Sequence, residues 1–338
     1  MESIKNKLRP LYIPIFNSSF LRSIFLILNF VQDFKLYKKY SLTFSNKDLE
    51  NKESDLILNY HSLEKGMLFK TMKKGFAENR IKNLHVILND PDIIKNINRS
   101  QIKVGYQVIC QYYELHQKAN YNIEYLYSKE QYLKYKSILN LSYDANFNGI
   151  INWNKEEFYK ETSADFFKFA YSRKSVREFT GNLISHKIIN QVIELANTAP
   201  SVCNRQASNV YLVEDKVKID QLLKIQGGFT GYIKDVHQLL ILTNDRKYYY
   251  TVGERNQFYI DGGIYLMNLL YALHYYQIGN CPANWGKEIA DDKMVSKIVS
   301  ISESEKIICM IPIGELKETF RTTLSERRPN IENFKILK

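Results

Sequence analysis

Three short, largely apolar runs, separated by segments with helical periodicity, constrain the fold of this chain more than any other feature of its sequence. The runs lie at 210–213, 238–242 and 306–311, and their length and apolar content are typical of strands. Helical spacing predicts helices at 187–197, capped by Ser185, and at 254–276. Because strands alternate with helices, we predict a central sheet flanked by helices, of the α/β or α+β class.

The first half of the chain has a different pattern. Helical spacing predicts four helices, at 48–63, 77–88, 94–116 and 123–141. An aromatic stripe on the third of them is typical of packing. Residues 143–154 hold several Asn and one Gly, which predicts a linker, and a helix at 155–171 follows. We therefore predict two domains, a mostly helical N-terminal region at 1–150 and a sheet-containing domain at 151–338.

The formal net charge of +11 suits an anionic partner, although a solvated Lys-rich surface explains it more simply. We expect no nucleic-acid partner, because no base-reading motif or aromatic-basic pattern is visible. The four scattered cysteines have no zinc spacing and fit a reducing compartment, so we predict a cytoplasmic protein without a bound metal. No signal peptide is evident in the basic residues 1–10.

An apolar run at 24–31 is too short to span a bilayer, which needs roughly 20 apolar residues. It lies between Arg22 and a basic stretch at 35–40. The pattern favours a core or interface helix. Peripheral contact with an anionic membrane, at its inner face, is the alternative.

Two short motifs carry the chemistry. The first places three cations and a hydroxyl within five residues: Arg173, Lys174, Ser175 and Arg177. Arginine pairs bind phosphate well, and a solvated basic stretch is the alternative. The second is a loop of small and polar groups at 199–206, which suits a flat polar ring. Together they suit flavin mononucleotide (FMN). The chain has no P-loop or G-x-G-x-x-G fingerprint, and the glycine-rich turn at 227–231 favours an ordinary flexible loop.

The order of the motifs is more specific than either motif. The two are followed by Asp261-Gly262-Gly263, then by Gly279-Asn280-Cys281-Pro282, and finally by a strand that ends at Gly314. Over roughly residues 165 to 330, this series resembles the nitroreductase family of flavoenzymes. The resemblance implies an α+β fold with a central mixed or antiparallel sheet flanked by helices. The mostly helical N-terminal extension lies outside the minimal family fold.

The resemblance also implies an FMN site. Arg173, Ser175 and Arg177 match the segment that holds the phosphate, ribityl chain and pyrimidine edge, and Lys174 occupies a variable position. Pro200, Ser201 and Asn204 match the loop that reaches the flavin of the other subunit, and Pro282, Ala283 and Asn284 match the turn whose backbone N–H points at flavin N5. Arg321 matches a late phosphate-binding arginine, with Arg327 and Arg328 as nearby alternates. A homodimer with sites at its interface follows.

The implied activity is a ping-pong, two-electron reduction of a small organic substrate by NADH or NADPH. Residues 60–67 and 74–76 resemble extended nitroreductase-like proteins of bacterial surface-polysaccharide gene clusters, which suggests a role in that biosynthesis. The chain departs from the family pattern at 227–231 and at Thr319. These departures motivate the alternative, a non-redox nitroreductase-like dimer that acts as a binding or scaffold protein.

Overall fold

The computed structural model of the chain describes residues 19–40, 44, 48–249 and 252–337. The basic segment noted at 1–10 lies outside the described residues. The chain divides into two compact units. One contains Asn152–Thr322 together with the chain up to Leu26, and the other contains Ile27–Ile151 together with the residues from Thr323 on. The two-domain division at residue 150 stays a prediction.

The N-terminal part of the chain is helical. Its helices are α1 (Ser19–Tyr40), α2 (Leu49–Met67), α3 (Glu78–Leu88), α4 (Pro91–Lys95), α5 (Ser100–Lys118) and α6 (Lys129–Leu139). The single helix predicted at 94–116 is wrong, because the chain breaks between Lys95 and Ser100. The helix predicted at 123–141 is shorter, since Ser128 and Gln131 form a capping box that starts it later.

Tyrosines fill the core of this unit, as the predicted packing stripe requires. Tyr106, Tyr112 and Tyr127 are fully buried. The Tyr106 hydroxyl donates to the Leu88 carbonyl at 2.5 Å, and the Tyr112 hydroxyl donates to the Phe76 carbonyl at 2.9 Å. Because a buried hydroxyl without a partner is costly, these bonds let large rings enter the core.

The C-terminal part of the chain contains the sheet. Its elements are β1 (Ile150–Asn154), α7 (Lys155–Tyr159), α8 (Phe166–Ser172), α9 (His186–Ala196), β2 (Ser208–Val213), α10 (Lys216–Gln226), β3 (Gln238–Asp245), α11 (Gln257–Tyr275), β4 (Gly279–Asn280), β5 (Ala283–Asn284), α12 (Ile289–Ser296), β6 (Glu305–Gly314), β7 (Thr319–Thr323) and α13 (Asn330–Asn333). The main sheet has the order β2-β3-β6-β4, and β5 also pairs with β6. All of these pairings are antiparallel.

The predicted class, helices around an antiparallel sheet with a helical N-terminal region, is confirmed. Every residue of the central strand β3 is buried, as its apolar run predicted. Ser185 caps α9 as predicted, because its side chain accepts from the Ile188 N–H. The predicted linker is wrong in part: it contains β1, which pairs with β7.

The predicted helix at 155–171 is two helices, because Asn154 caps the first and Asp165 caps the second. The long helix α11 packs closely on the sheet at Gly262. A Cβ on Gly262 would lie 2.7 Å from Cγ1 of Ile308 in β6. No helix within the described residues is long and apolar enough to cross a membrane.

Candidate functional site

The first motif leaves α8 as an extended segment that joins the β4 edge of the sheet. The Val176 N–H donates to the Asn280 carbonyl at 2.9 Å, and Phe179 forms a bridge with Leu316. Side chains alternate along an extended chain, and Val176 is fully buried on one side. Arg173, Ser175 and Arg177 therefore share the other side, as a common ligand would require.

Arg177 has an incomplete set of partners. Its Nε and Nη1 atoms are buried and have no hydrogen-bond partner in the part of the chain that the structure describes. Leaving charged donors buried and unpaired costs about 1–3 kcal/mol or more. An anionic or carbonyl oxygen placed against the guanidinium would remove this cost, so the residue fits an oxygen-rich ligand such as FMN.

Tyr232 marks the place where three predicted site segments meet. Burial raises the pKa of Tyr232 to about 12, while the positive charges of Arg177 and Arg321 act in the opposite direction. The thiol of Cys281, directly before the predicted turn at 282–284, also acts on this hydroxyl. The structure therefore brings Arg177, Arg321 and the start of the turn within electrostatic range of one group.

Arg173 lies at the other end of the motif. Burial, together with the positive charge of Arg173, lowers the pKa of His274 to about 4. The Ser172 hydroxyl is 2.7 Å from Nε2 of the same His274. Because 173–177 is extended, the Cα atoms of Arg173 and Arg177 are up to about 13 Å apart. The two side chains would have to reach a shared ligand from its two ends.

The turn at 282–284 is held from two sides. Ala283 and Asn284 form β5 against Met310 and Cys309 of β6. The Gln226 side chain donates to the Asn284 carbonyl at 2.9 Å and accepts from the Gly228 N–H at 2.8 Å. Gln226 therefore fixes the turn beside the glycine-rich loop at 227–231. Nothing in the sequence pattern singled out Gln226 or Tyr232, because each acts through neighbours that are distant along the chain.

The second motif forms a tightly held loop with unusual backbone geometry. Cys203, Asn204 and Gln206 have φ angles of 49°, 56° and 50°, which non-glycine residues rarely adopt. The Val202 N–H donates to Asp261 at 3.2 Å, and the Gln206 N–H donates to the Ser201 hydroxyl at 2.9 Å. These bonds stabilise the strained conformation, which is typical of functional loops.

Arg205 anchors the same loop through an ion pair with Glu254 at 2.6 Å. Asn204 is exposed, and Pro200 and Ser201 border a cavity of about 210 Å³ together with Asp261. The loop thus presents its polar groups outward from a fixed frame.

The structure does not bring the two motifs together within one chain. The first motif adjoins β4 and the second leads into β2, which are opposite ends of the order β2-β3-β6-β4. Three strand spacings separate these ends by roughly 14 Å. Arg177, Arg321 and the turn at 282–284 form one group of predicted site residues, and Pro200, Ser201 and Asn204 form another.

A family model described as the Nitroreductase family matches residues 170–230, which include both motifs. No curated protein matches the chain. Similar solved structures include a Bacillus subtilis protein described as a nitroreductase, with 18% sequence identity and a TM-score of 0.46 over 52% of this chain and 100% of its own.

Two others have comparable scores. A Clostridium acetobutylicum protein described as an NADH oxidase has 19% identity and a TM-score of 0.44, covering 50% of this chain and 99% of its own. A Desulfovibrio desulfuricans protein described as a nitroreductase in complex with FMN has 19% identity and a TM-score of 0.43, covering 51% of this chain and 96% of its own.

Proposed function

We propose that this protein is an FMN-dependent oxidoreductase that uses NADH or NADPH to reduce a small organic substrate in a ping-pong reaction. The observation that carries the proposal is the guanidinium of Arg177. Its buried donors lack partners among the described residues, it acts electrostatically on the same Tyr232 hydroxyl as Arg321, and its segment falls within the match to the Nitroreductase family model. Such donors suit the phosphate and carbonyl oxygens of FMN.

The chain would bind FMN through the groups already described. Bound FMN supplies hydride-transfer chemistry, and the protein supplies position and charge. Arg177 and Arg321 would place positive charge beside the oxygen-rich end or edge of the cofactor, with Arg173 and Ser175 completing this side. Lys174 alternates with them along the extended segment and would bind FMN only through its edge. The turn formed by Pro282, Ala283 and Asn284, which Gln226 holds in place, would orient the reactive edge of the ring.

A homodimer would complete the site. Pro200, Ser201 and Asn204 lie at the sheet edge opposite Arg177, so we infer that they serve the FMN of a second copy. An exposed apolar stripe on α11 supports this arrangement. Ile260, Ile264 and Tyr275 on this helix are 54%, 40% and 53% exposed, which is unusual for large apolar side chains on a lone subunit.

Purification gives the direct test of the cofactor. We expect a yellow protein whose flavin absorbance bleaches when NADH or NADPH is added without oxygen and returns when an acceptor is added. A colourless protein that takes up no FMN on incubation contradicts the proposal. That outcome supports the alternative, a non-redox binding or scaffold protein, for which the departures at 227–231 and Thr319 argue.

The N-terminal helix α1 would rest on an anionic membrane surface, which keeps the enzyme at the inner face of the membrane. Phe20, Ile27 and Phe34 are 73%, 61% and 61% exposed, so α1 is not a core helix of the described chain. Exposed Lys35 and Lys38 lie beside this apolar surface. Each basic residue near an anionic surface contributes about 1 kcal/mol to binding.

Vesicle flotation tests this membrane contact. The wild type should float with phosphatidylserine-containing vesicles and float less with pure phosphatidylcholine. The double variants Ile27→Glu/Phe30→Glu and Lys35→Glu/Lys38→Glu should stay in the dense fraction, while the control Val86→Glu, exposed on α3, floats normally. A wild type that does not bind anionic vesicles refutes this contact and leaves the redox proposal intact.

A role in surface-polysaccharide biosynthesis rests on the resemblance at 60–67 alone, and normal polysaccharide in a deletion strain would refute it.

A further inference from the structure

An open cavity of about 500 Å³ lies at the end of the sheet where β3 ends and β6 begins. Its charged and aromatic lining comprises Arg246, Tyr259, Lys287, Glu288, Asp292 and Lys306. None of these residues belongs to the two motifs or to the set that would bind FMN. The cavity is therefore a separate feature whose charges need their own explanation.

The cations of this cavity are only partly neutralised. Lys306 forms an ion pair with Asp292 at 2.5 Å, and Asp292 also accepts from the Trp285 indole at 2.7 Å. Lys287 is half-buried and makes no ion pair or hydrogen bond with any residue that the structure describes. A half-buried ammonium without a partner loses hydration and gains nothing in return. Lys287 thus presents an unused positive charge to the cavity.

Arg246 is the second available cation. Its guanidinium lies over the Phe258 ring at 4.8 Å and donates to the Ser304 carbonyl at 3.3 Å. It forms no ion pair with a carboxylate among the described residues. The ring and the carbonyl orient the guanidinium without neutralising its charge. Arg246, Lys287 and Lys306 outnumber the two carboxylates that line the cavity, Glu288 and Asp292, so its net positive charge attracts an anion.

The cavity adjoins the turn that would face the reactive edge of FMN. Lys287 comes three residues after Asn284, and its Nζ lies 3.8 Å from the position that a Cβ on Gly227 would occupy. Gly227 follows Gln226, whose side chain holds the Asn284 carbonyl. Lys287, the glycine-rich loop and the turn are therefore immediate neighbours.

We propose that Arg246 and Lys287 bind the anionic group, a carboxylate or phosphate, of a molecule that exchanges electrons at this site. This inference rests on the proposed function and adds a substrate class to it. The anion could belong to the electron acceptor or to the pyrophosphate of the nicotinamide reductant, and both present the same chemistry to the cavity. Charge-assisted contacts of this kind change affinity by about ten- to a hundredfold each.

Two electron acceptors of similar shape, one charged and one neutral, show whether the charge of the acceptor affects the reaction. We would compare 4-nitrobenzoate with the neutral 4-nitrobenzyl alcohol, using the wild type, Lys287→Met, Arg246→Gln and the double variant. The control is Lys293→Met, which removes an exposed lysine of α12 that does not line the cavity. In the double variant, kcat/KM for 4-nitrobenzoate should fall at least tenfold through KM, with little change for the alcohol.

Stopped-flow reduction by NADH distinguishes the two sources of the anion. The double substitution could weaken NADH binding tenfold and leave the ratio of kcat/KM between the two acceptors unchanged. In that case the reductant supplies the anion, and the proposed anion site is supported. If neither NADH nor 4-nitrobenzoate distinguishes the double variant from Lys293→Met, the proposal is overturned.

A binding measurement keeps this inference separate from the redox proposal. Calorimetric titration of 4-nitrobenzoate and of inorganic pyrophosphate into protein without FMN needs no turnover. Charge-dependent binding in a protein that never takes up FMN would refute the enzyme and support the anion site. Turnover that the double variant leaves unchanged for every charged substrate would refute the anion site and support the enzyme.

Discussion

Replacing Arg177 should weaken FMN binding without lowering the stability of the protein that lacks FMN. Its buried Nε and Nη1 donors lack partners among the described residues, so the free protein carries a desolvation cost there. In Arg177→Gln, FMN affinity should fall about ten- to a hundredfold, because a charge-assisted contact is lost. Fluorescence titration of FMN measures this change.

Thermal unfolding without FMN provides the second readout for the same variant. Its melting temperature should equal or exceed that of the wild type, since the substitution removes an unpaired buried charge. Arg80→Gln, at a half-buried arginine in the helical unit, should leave FMN affinity unchanged. Equal FMN affinity in Arg177→Gln and Arg80→Gln would remove Arg177 from the site.

Glu53 places one buried carboxylate between two arginines of the helical unit. Its side chain is 1% exposed and pairs with Arg99 at 2.7 Å and with Arg328 at 2.8 Å. Because Arg328 belongs to the last part of the chain, this carboxylate ties that segment to the helices. Glu53→Gln removes the buried carboxylate that two half-buried guanidinium groups share, while Arg99 keeps Glu50 and Arg328 keeps Glu332 at 3.5 Å. The substitution should cost about 3 kcal/mol of unfolding free energy.

Urea denaturation measures the effect, and Glu50→Gln is the matched control. Glu50 approaches the same Arg99 at 3.5 Å, but its side chain is 74% exposed. An exposed ion pair contributes about 0–1 kcal/mol. If both variants lose the same small stability, Glu53 does not organise the unit.

At the level of the elements, two neighbouring glycines of α11 should respond to alanine in opposite directions. A methyl on Gly262 would lie 2.7 Å from Cγ1 and 2.9 Å from Cδ1 of Ile308, so Ile308 would have to move. Overpacking of this kind costs about 1–3 kcal/mol. A methyl on Gly263 meets no atom within 4 Å, and alanine favours a helix over glycine by about 1 kcal/mol.

Gly262→Ala should therefore lower the midpoint of chemical unfolding, whereas Gly263→Ala should keep or raise it. Helix propensity alone would predict equal stabilisation in the two alanine variants. Equal stabilisation would mean that the Ile308 side chain moves at little cost and that the close approach of α11 to β6 does not require glycine.

The elements that the sequence predicted well are recognisable from their own residues, without knowledge of their partners. The run at 239–242 is apolar throughout because β3 is covered on both faces, and Ser185 starts α9 through a purely local hydrogen bond. Strands β1 and β7 escaped prediction because a short strand is defined by its partner. The break between Lys95 and Ser100 escaped because residues 95–100 contain no Pro or Gly that would mark the end of a helix.

The residues of the candidate site also divide into those that the sequence predicts and those that only the structure reveals. The sequence alone predicts four of them, Arg173, Arg177, Asn204 and Arg321, because their residue types occur in a characteristic order along the chain. Gln226, Tyr232 and Lys287 have ordinary local surroundings. They acquire a role only when the fold sets α10, the 227–231 loop and the turn after β4 side by side.

For the whole molecule, the two motifs lie at opposite ends of the sheet order, and we expect the second motif to serve the FMN of a second copy. The exposed stripe on α11 is the surface on which we expect that copy to pack. Ile264→Glu/Met267→Glu would place two carboxylates in this apolar interface, where desolvating them is costly. Analytical ultracentrifugation should show a dimer for the wild type and a monomer for this variant.

The monomeric variant should also lose FMN, although Arg173, Ser175, Arg177 and Arg321 are unchanged, because the partner's copy of the 199–206 loop is no longer present. Val86→Glu, which adds a carboxylate on exposed α3 of the helical unit, should remain dimeric and yellow. Asn204→Ala should keep the dimer and weaken FMN binding, since the exposed Asn204 side chain makes its described bond only to Gln206 of its own loop. A folded monomer that binds FMN as tightly as the wild type would show that one chain builds the whole site, and the second motif would then need another role.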